Sequence, residues 1–519
     1  DYDDPDDPLD VDRLEAAVID GLTLVAVTAQ SGDNVHRIFE SLNNTGLQLT
    51  QGDLLRNYFF MRLIDRAQVI YDSIWKPMQD ALDSSSMELL FWIDLVRRDP
   101  TSKRPDVYSL QQSRLDRLTP DEVEKDLDRI SELSRVLVKV LNPEQIQESK
   151  LRLRVQRIRD WKSVLTVPVM VSLMEIYEQD PSRVDEICTA LLYLESFLVR
   201  RTITGVAPGQ KNLNRILLST AREVLDAEDA ASTLRSYLSS GRKHWSTDEQ
   251  IRSAVPTVPF YWQGRAHQKR LILTWLDQSL GSKGVDYQGL TIEHLVPQTI
   301  TDDWRKLLAN QEPDPETLMS RYESTVQTLG NLTLTAYNSE MSNNPWDWKR
   351  DYLKGSAMRM NHEIAENSIW GFDEIEQRSK DLGEAVIKIW PGPDLDLVEE
   401  ETDDRWRLME QVLIEVPPGR WVSYGDLAAV VGTHPMPLAN RLASHETQNA
   451  HRVLRRSGRI SPEFKWLDGR KDDPRDVLEE EGLVFDDKGL ADPESKMNVE
   501  ELAVLAGMNQ VTGAESDDE

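Results

Sequence analysis

The chain has 519 residues, of which 39% are hydrophobic, and a formal net charge of -30, a size and composition that predict roughly two to four domains with ordinary soluble cores. It holds no run of eighteen apolar residues, no leader of the secretory type and a single cysteine, Cys188, which argues against a membrane span, an intramolecular disulfide and any cysteine-built metal site and leads us to expect a cytoplasmic protein with Cys188 in its core. The acid excess disfavours indiscriminate coating of DNA, because phosphate affinity is largely electrostatic, but it leaves room for local basic surfaces.

The chain opens with the acidic run DYDDPDDPLD and no Met, so we expect a solvated tail and a fragment whose natural N-terminus has been removed. Leu22 to Thr28 is β-branched and predicts a strand. Val35 to Asn43 and a turn at Asn44-Thr-Gly46 follow. Thr50 reads as an N-cap, with Asp53 adding negative charge to the first turn of a helix that runs through Leu54 to Phe60. From there to about residue 285 apolar residues recur at three- and four-residue spacing, in Tyr71 to Pro77, Met87 to Val96, Glu122 to Leu141, Val164 to Glu178 and Val184 to Arg200. These predict helices without a fixed repeat. Arg200 and Arg201 read either as cations closing a helix or as a surface for DNA or a further domain. Arg265, Lys269 and Arg270 form a small basic cluster that we read as a solvated face.

Next come TIEHLVPQ at 291–298, LGNLTLTAYNSEMSNN at 329–344 and PWDWKRDYL at 345–353. An acid beside a histidine, an asparagine opening a short apolar strand and a lysine on a helix resemble the layout of a ββα-metal (HNH, or His-Me finger) nuclease. Cutting a phosphodiester needs a base to activate water and a cation to neutralise developing charge. His294 is the candidate base. Glu293 is a hard oxygen ligand suited to one Mg2+ or Mn2+ ion. Side chains of neighbouring strand residues face opposite ways, so the pair calls for a twist or bulge to serve one site. Pro297 would help end the strand. Asn331 would hold the hairpin and orient the imidazole, Asn338 is the first candidate for a second metal ligand with Asn343 behind it, and Lys349 would meet a phosphate. The same string resembles the C-terminal nuclease domain of the GmrSD family of modification-dependent (type IV) restriction enzymes, shared with SspE-type defence proteins. The resemblance implies the same roles for His294, Glu293, Asn331 and Asn338. The long gap between His294 and Asn331 is expected to hold short helices at Trp304 to Leu308 and Pro315 to Tyr322. IFESLNNTGLQLTQGDLLRNYFF resembles the tail of that family's ParB-like nucleotide-hydrolysing domain. The Asp-Gly-Gln-Gln-Arg motif of that domain is absent from this sequence, so NTP hydrolysis is not expected of this chain, and the rest of the NTPase domain would be a missing partner.

Beyond the acidic stretch LVEEETDD the composition changes. Residues 405–475 hold ten Arg and two Lys against eight Asp and Glu, a basic region on an acidic chain. PPGRWVSYGDLA, Asn440-Arg441-Leu442 and NAHRVLRRSGRI resemble the DNA-binding domain of O-alkylguanine alkyltransferases and alkyltransferase-like proteins. The resemblance implies a winged helix-turn-helix that rotates a base out of duplex DNA. Ala450 stands where the family has its cysteine nucleophile, so alkyl transfer is not expected. Tyr424 matches the tyrosine at the target phosphate and Arg441 the arginine that fills the vacated stack. His451 and Arg452 stand in the motif either as DNA contacts or as braces of the fold. Arg455, Arg456 and Arg459 are candidate phosphate contacts.

The expected architecture is mainly α and multidomain. It runs 1–60, tail of the ParB-like domain; 61–285, helical middle; 286–392, ββα-metal nuclease; 393–404, acidic linker; 405–500, small α/β winged-helix alkyltransferase-like domain; and 501–519, acidic tail. The expected function is metal-dependent cleavage of double-stranded, modified DNA in phage defence. The alternative is a DNA-binding or lesion-sensing protein with an inactive nuclease domain.

Overall fold

The structure is a computed structural model that describes residues 11–22, 50–63, 66–205, 210–241, 243–336, 338–398, 404–462 and 464–506. The strand expected at 22–28 (Leu22 apart), the segment 35–43, the turn at 44–46 and most of the acidic runs lie outside the described residues. The described chain is mainly helical and divides into two compact units, Asp1–Leu89 with Pro105–Lys125 and Leu90–Arg104 with Asp126–Glu519. Among the described residues no helix is long and apolar enough to cross a membrane.

In the first unit, helix α1 spans Gln51–Arg62. Its start follows the expectation. Thr50 Oγ1 accepts from the Asp53 N–H at 3.2 Å while the Asp53 carboxylate accepts from the Thr50 N–H, so two donors that a helix start leaves unpaired are satisfied reciprocally. Leu55, Tyr58 and Phe59 form its buried face. Tyr58 donates to Asp116 and Arg62 to the Leu118 carbonyl, which fastens the helix to the 107–125 segment.

In the second unit, α2 (Ser149–Asp160), α3 (Val167–Gln179), α5 (Gln210–Glu223) and α6 (Ala230–Ser239) accompany α4 (Val184–Thr204). Ile187, Leu191, Leu194 and Phe197 recur at three- and four-residue spacing on α4 and are fully buried, so the helix packs against α2, α3 and α6 along that stripe. Cys188 sits on it half-buried, not in the core as expected, because it falls beside the stripe.

Three buried charged side chains inside this bundle are held by polar partners. Buried Glu195 accepts from Arg154 at 3.1 Å, Arg157 at 3.0 Å and the Trp390 indole at 2.7 Å. Arg200, fully buried, donates to the Trp390 carbonyl at 2.7 Å, the Ser246 carbonyl at 3.0 Å and Asp248 at 2.7 Å. Arg201 is also buried, donates to the Lys243 and His244 carbonyls and lies over the Phe197 ring. Neither arginine is a surface for DNA. Each guanidinium takes the carbonyls of a chain segment that passes α4, because a buried donor left unpaired is costly.

Helix α7 (Ala266–Ser279) leads to strand β1 (Thr291–His294), strand β2 (Leu332–Thr335), α8 (Trp346–Lys354) and α9 (Phe372–Ile389). β1 and β2 pair antiparallel, Thr291 opposite Thr335 and His294 opposite Leu332. The insertion between them forms helices Asp302–Leu308 and Pro315–Thr325, as its sequence predicts. Further on, α10 (Asp404–Glu415), α11 (Tyr424–Val431) and α12 (Pro435–Ser444) enclose a core of Met409, Val412, Leu413, Leu427, Val431 and Leu438. Gly432, at φ 75°, ends α11 in the left-handed conformation that turns the chain into α12. The short strands β3 (Val422–Ser423) and β4 (Val453–Leu454) pair in parallel beside them.

Candidate active site

The site is built on the end of β1. Its pairing with β2 is unbroken to His294 and contains no bulge, contrary to the expected irregularity. Instead, the end of β1 is buried on both sides, with Glu293 3% and His294 6% exposed. Lys349, on α8 and fully buried, links the two residues. Its ammonium donates to Glu293 Oε1 at 2.5 Å and to the His294 carbonyl at 2.7 Å. This replaces the expected phosphate contact: an ammonium closed off from solvent serves the carboxylate beside it.

Burial pushes Glu293 up from the ordinary carboxylate range, and the Lys349 ammonium opposes that shift. Burial likewise pulls Lys349 down against the pull of Glu293.

The imidazole is clamped. His294 Nε2 lies 3.0 Å from Gln327 Oε1, and Gln298 Nε2 lies 3.1 Å from His294 Nδ1. One neutral tautomer satisfies both bonds, with Nε2 donating and Nδ1 accepting. Gln298 is exposed, so the group covering Nδ1 is one that water or substrate can displace. The Tyr261 ring stands edge-on to the imidazole, centroids 4.5 Å apart. Lys269 supports that ring from beneath, donating to the Tyr261 carbonyl with its ammonium 4.8 Å from the ring centroid. Lys269 is thus buried, not part of the solvated face expected for Arg265, Lys269 and Arg270.

Burial first, then the nearby Lys349 and Lys269 ammoniums, lower His294 to about 4, against the bond to Gln327. The unfolded chain takes up this proton near 6.5, ahead of the folded protein. The resulting stability is complete above about pH 6.5 and is lost as pH falls toward about 4. We expect the thermal midpoint of the metal-free protein to fall across that window, and to fall less in His294→Gln. Parallel pH profiles for the two proteins would contradict this assignment.

Asn331 is fully buried and holds the loop that follows β1. Its side chain accepts from the Val296 N–H at 2.8 Å and donates to the Val296 and Val326 carbonyls at 2.8 and 2.9 Å. It holds the hairpin as expected, while the imidazole is oriented by Gln327, Gln298 and Tyr261. Arg378, on α9, donates to the Gly330 carbonyl at 2.6 Å and the Leu332 carbonyl at 2.9 Å, which secures the turn that carries Asn331. Gly330 is required there, since a Cβ would lie 2.6 Å from the Ile375 carbonyl.

Asn338 lies against β1, donating to the Ile292 carbonyl at 3.2 Å, whereas Asn343 is exposed in the following turn. Among the described residues no set of three or more His, Cys, Asp and Glu could hold a metal ion. The oxygens of Glu293 and Asn338 nevertheless suit Mg2+, which binds few protein oxygens and keeps water and phosphate as its other ligands. Glu293 shares its carboxylate with the Lys349 ammonium, so a cation there competes with an ion pair that is already formed.

The remaining candidates lie in the C-terminal region. His451 and Arg452 are buried and both engage Glu481, His451 at 2.9 Å and Arg452 at 2.7 and 2.8 Å, while Arg452 also donates to the Val416 carbonyl. The structure places them as braces and not as surface contacts. Arg441 is held against α10, 3.6 Å from Glu410 and over the Trp406 ring. Tyr424 is half-buried at the start of α11. Arg456 and Arg459 are exposed and Arg455 half-buried on a tight turn closed by the bond from the Arg455 N–H to the Arg459 carbonyl.

Sequence reasoning missed Gln327, Gln298, Tyr261, Lys269 and Arg378. Only Lys269 carried a signal, a cation two residues before the apolar run Leu271 to Leu273. Residues 245–385 match the family model of the C-terminal domain of GmrSD restriction endonucleases. The matched stretch opens well before β1 and includes Tyr261, Lys269, Gln327 and Arg378. No curated protein matches the chain.

Proposed function

We propose that residues 245–385 form an HNH-type, metal-dependent DNA endonuclease of a modification-sensing restriction system that acts in the cytoplasm against phage. The observation that carries this reading is convergence within the matched stretch. His294, Glu293, Asn331, Asn338 and Lys349 come from separated segments and meet on one hairpin. His294 is the general base. Its neutral imidazole, held through Nε2 by Gln327, offers Nδ1 to a water once Gln298 moves aside. Glu293 and Asn338 would hold one Mg2+ or Mn2+ ion, which when bound neutralises charge on the phosphate and the leaving oxygen. Asn331 fixes the loop behind the base. The buried Lys349 and Lys269 set a positive field around the imidazole, in which a phosphate is favoured despite the chain's net charge.

For residues 405–500 we propose an alkyltransferase-like reader of modified double-stranded DNA. Tyr424 and Arg441 would act at the rotated base, and Arg455, Arg456 and Arg459 on the phosphates. His451 and Arg452 would support it through Glu481. With Ala450 in place of a nucleophile, the reader binds and does not transfer an alkyl group.

One observation favours the alternative of an inactive nuclease, the closed Glu293–Lys349 pair. Incubating modified and unmodified plasmid with the full chain, with Mg2+ or Mn2+ and then with a chelator, separates the readings. We expect cleavage with the metal, none with the chelator, and faster cleavage of the modified plasmid. Intact plasmid under all conditions would sink the endonuclease reading. Equal cleavage of the two plasmids would sink the sensing role.

A further inference from the structure

Four tryptophans near the hairpin, Trp275, Trp304, Trp346 and Trp370, are 3% exposed or less, and Trp348 on α8 is 36% exposed but stacked on Tyr352. Trp262 is 64% exposed. An indole left in water is unfavourable, and this one follows directly on Tyr261, whose ring packs on His294. The turn that carries it is tied to the site at several points. The Tyr261 N–H donates to the Gln327 carbonyl at 3.0 Å, and Gln327 is also the residue that holds His294 Nε2. The Trp262 N–H donates to the Pro259 carbonyl at 3.0 Å. On the other side Gly264, at φ 59°, approaches α4 so closely that a Cβ would lie 2.9 Å from Thr202 Cγ2. The exposed ring therefore stands on a fixed mount whose register to His294 is set by backbone bonds.

Its surroundings suit a polyanion. Arg265 is exposed and Arg270 half-buried on the same segment, and neither forms an ion pair with a described residue. The Lys269 ammonium lies under the neighbouring Tyr261 ring. An exposed aromatic ring with arginines such as Arg265 and Arg270 on the same segment is the pattern by which proteins take nucleic acid strands, with bases on the ring and phosphates on the cations.

From the placement of Trp262 beside the Tyr261–His294 contact, with Arg265 and Arg270 on the same segment, we infer that Trp262 stacks on an unstacked base of the DNA strand whose phosphate is presented to His294. The inference rests on the nuclease reading above and adds a base contact to it. It calls for a strand with an accessible base, such as single-stranded or locally melted DNA, since a ring cannot stack inside an intact duplex.

The test uses the full chain carrying His294→Ala, so that binding is read without cleavage, and a fluorescently labelled single-stranded 30-mer followed by anisotropy. We expect Trp262→Ala in this background to weaken binding about tenfold or more, at unchanged thermal midpoint, and Trp262→Phe to recover most of the loss. Equal affinity of the Trp262→Ala chain and its parent would overturn the base contact and leave the nuclease reading standing. A parent chain that binds neither this strand nor its duplex would overturn both.

Discussion

The His294→Ala chain is expected to cleave DNA about a hundredfold to ten-thousandfold more slowly than the parent, the contribution typical of a positioned general base, while keeping its affinity for DNA. Two observations support this size of effect. The imidazole is the group that the site is built to hold, fixed by Gln327, Gln298 and Tyr261 and kept neutral by burial. The bonds also leave Nδ1 as the acceptor, taking a hydrogen bond from the exposed Gln298 side chain. Gln298→Ala is therefore the informative companion. Removing the cover is expected to leave cleavage within a few-fold of the parent or to raise it. Initial rates of plasmid nicking at saturating metal check both variants. A His294→Ala chain that cuts within threefold of the parent would place the base elsewhere.

The second large effect concerns the Lys349–Glu293 pair. Lys349→Met leaves the Glu293 carboxylate buried without its ammonium, and removing one member of a buried pair costs about 3–5 kcal/mol. The double variant Lys349→Met, Glu293→Gln removes both charges and is expected to recover part of that loss. Recovery is incomplete, because the bond from Lys349 to the His294 carbonyl is lost in both variants. Urea unfolding of the metal-free proteins, arranged as a double-mutant cycle, gives the coupling directly. A single variant less than about 1 kcal/mol below the parent would mean that the pair is solvated, as exposed ion pairs are.

Much of the fold was legible because helices announce themselves by period. Val184 to Arg200 repeats its apolar residues every three or four positions, and α4 buries that stripe. Thr50 with Asp53 marked the start of α1, where the reciprocal cap is found. The acid, histidine and asparagines of the site were legible from chemistry, because few residue types activate water or bind a hard cation.

The sequence by itself determined which residue types are available for chemistry and where the long helices run, since residue type and local period need no distant partner. Only the tertiary structure decided which atoms those residues meet. Lys349 and Arg200 read as surface cations because a charge is most stable in water, and no local pattern foretells a partner that lies 56 residues away at Glu293 or 190 away at Trp390. Gln327 and Gln298 carry no periodic signal at all and become a clamp on His294 once β1 and β2 pair. Chain closure brings such groups together, and the cost of burying an unpaired charge or amide then holds them there.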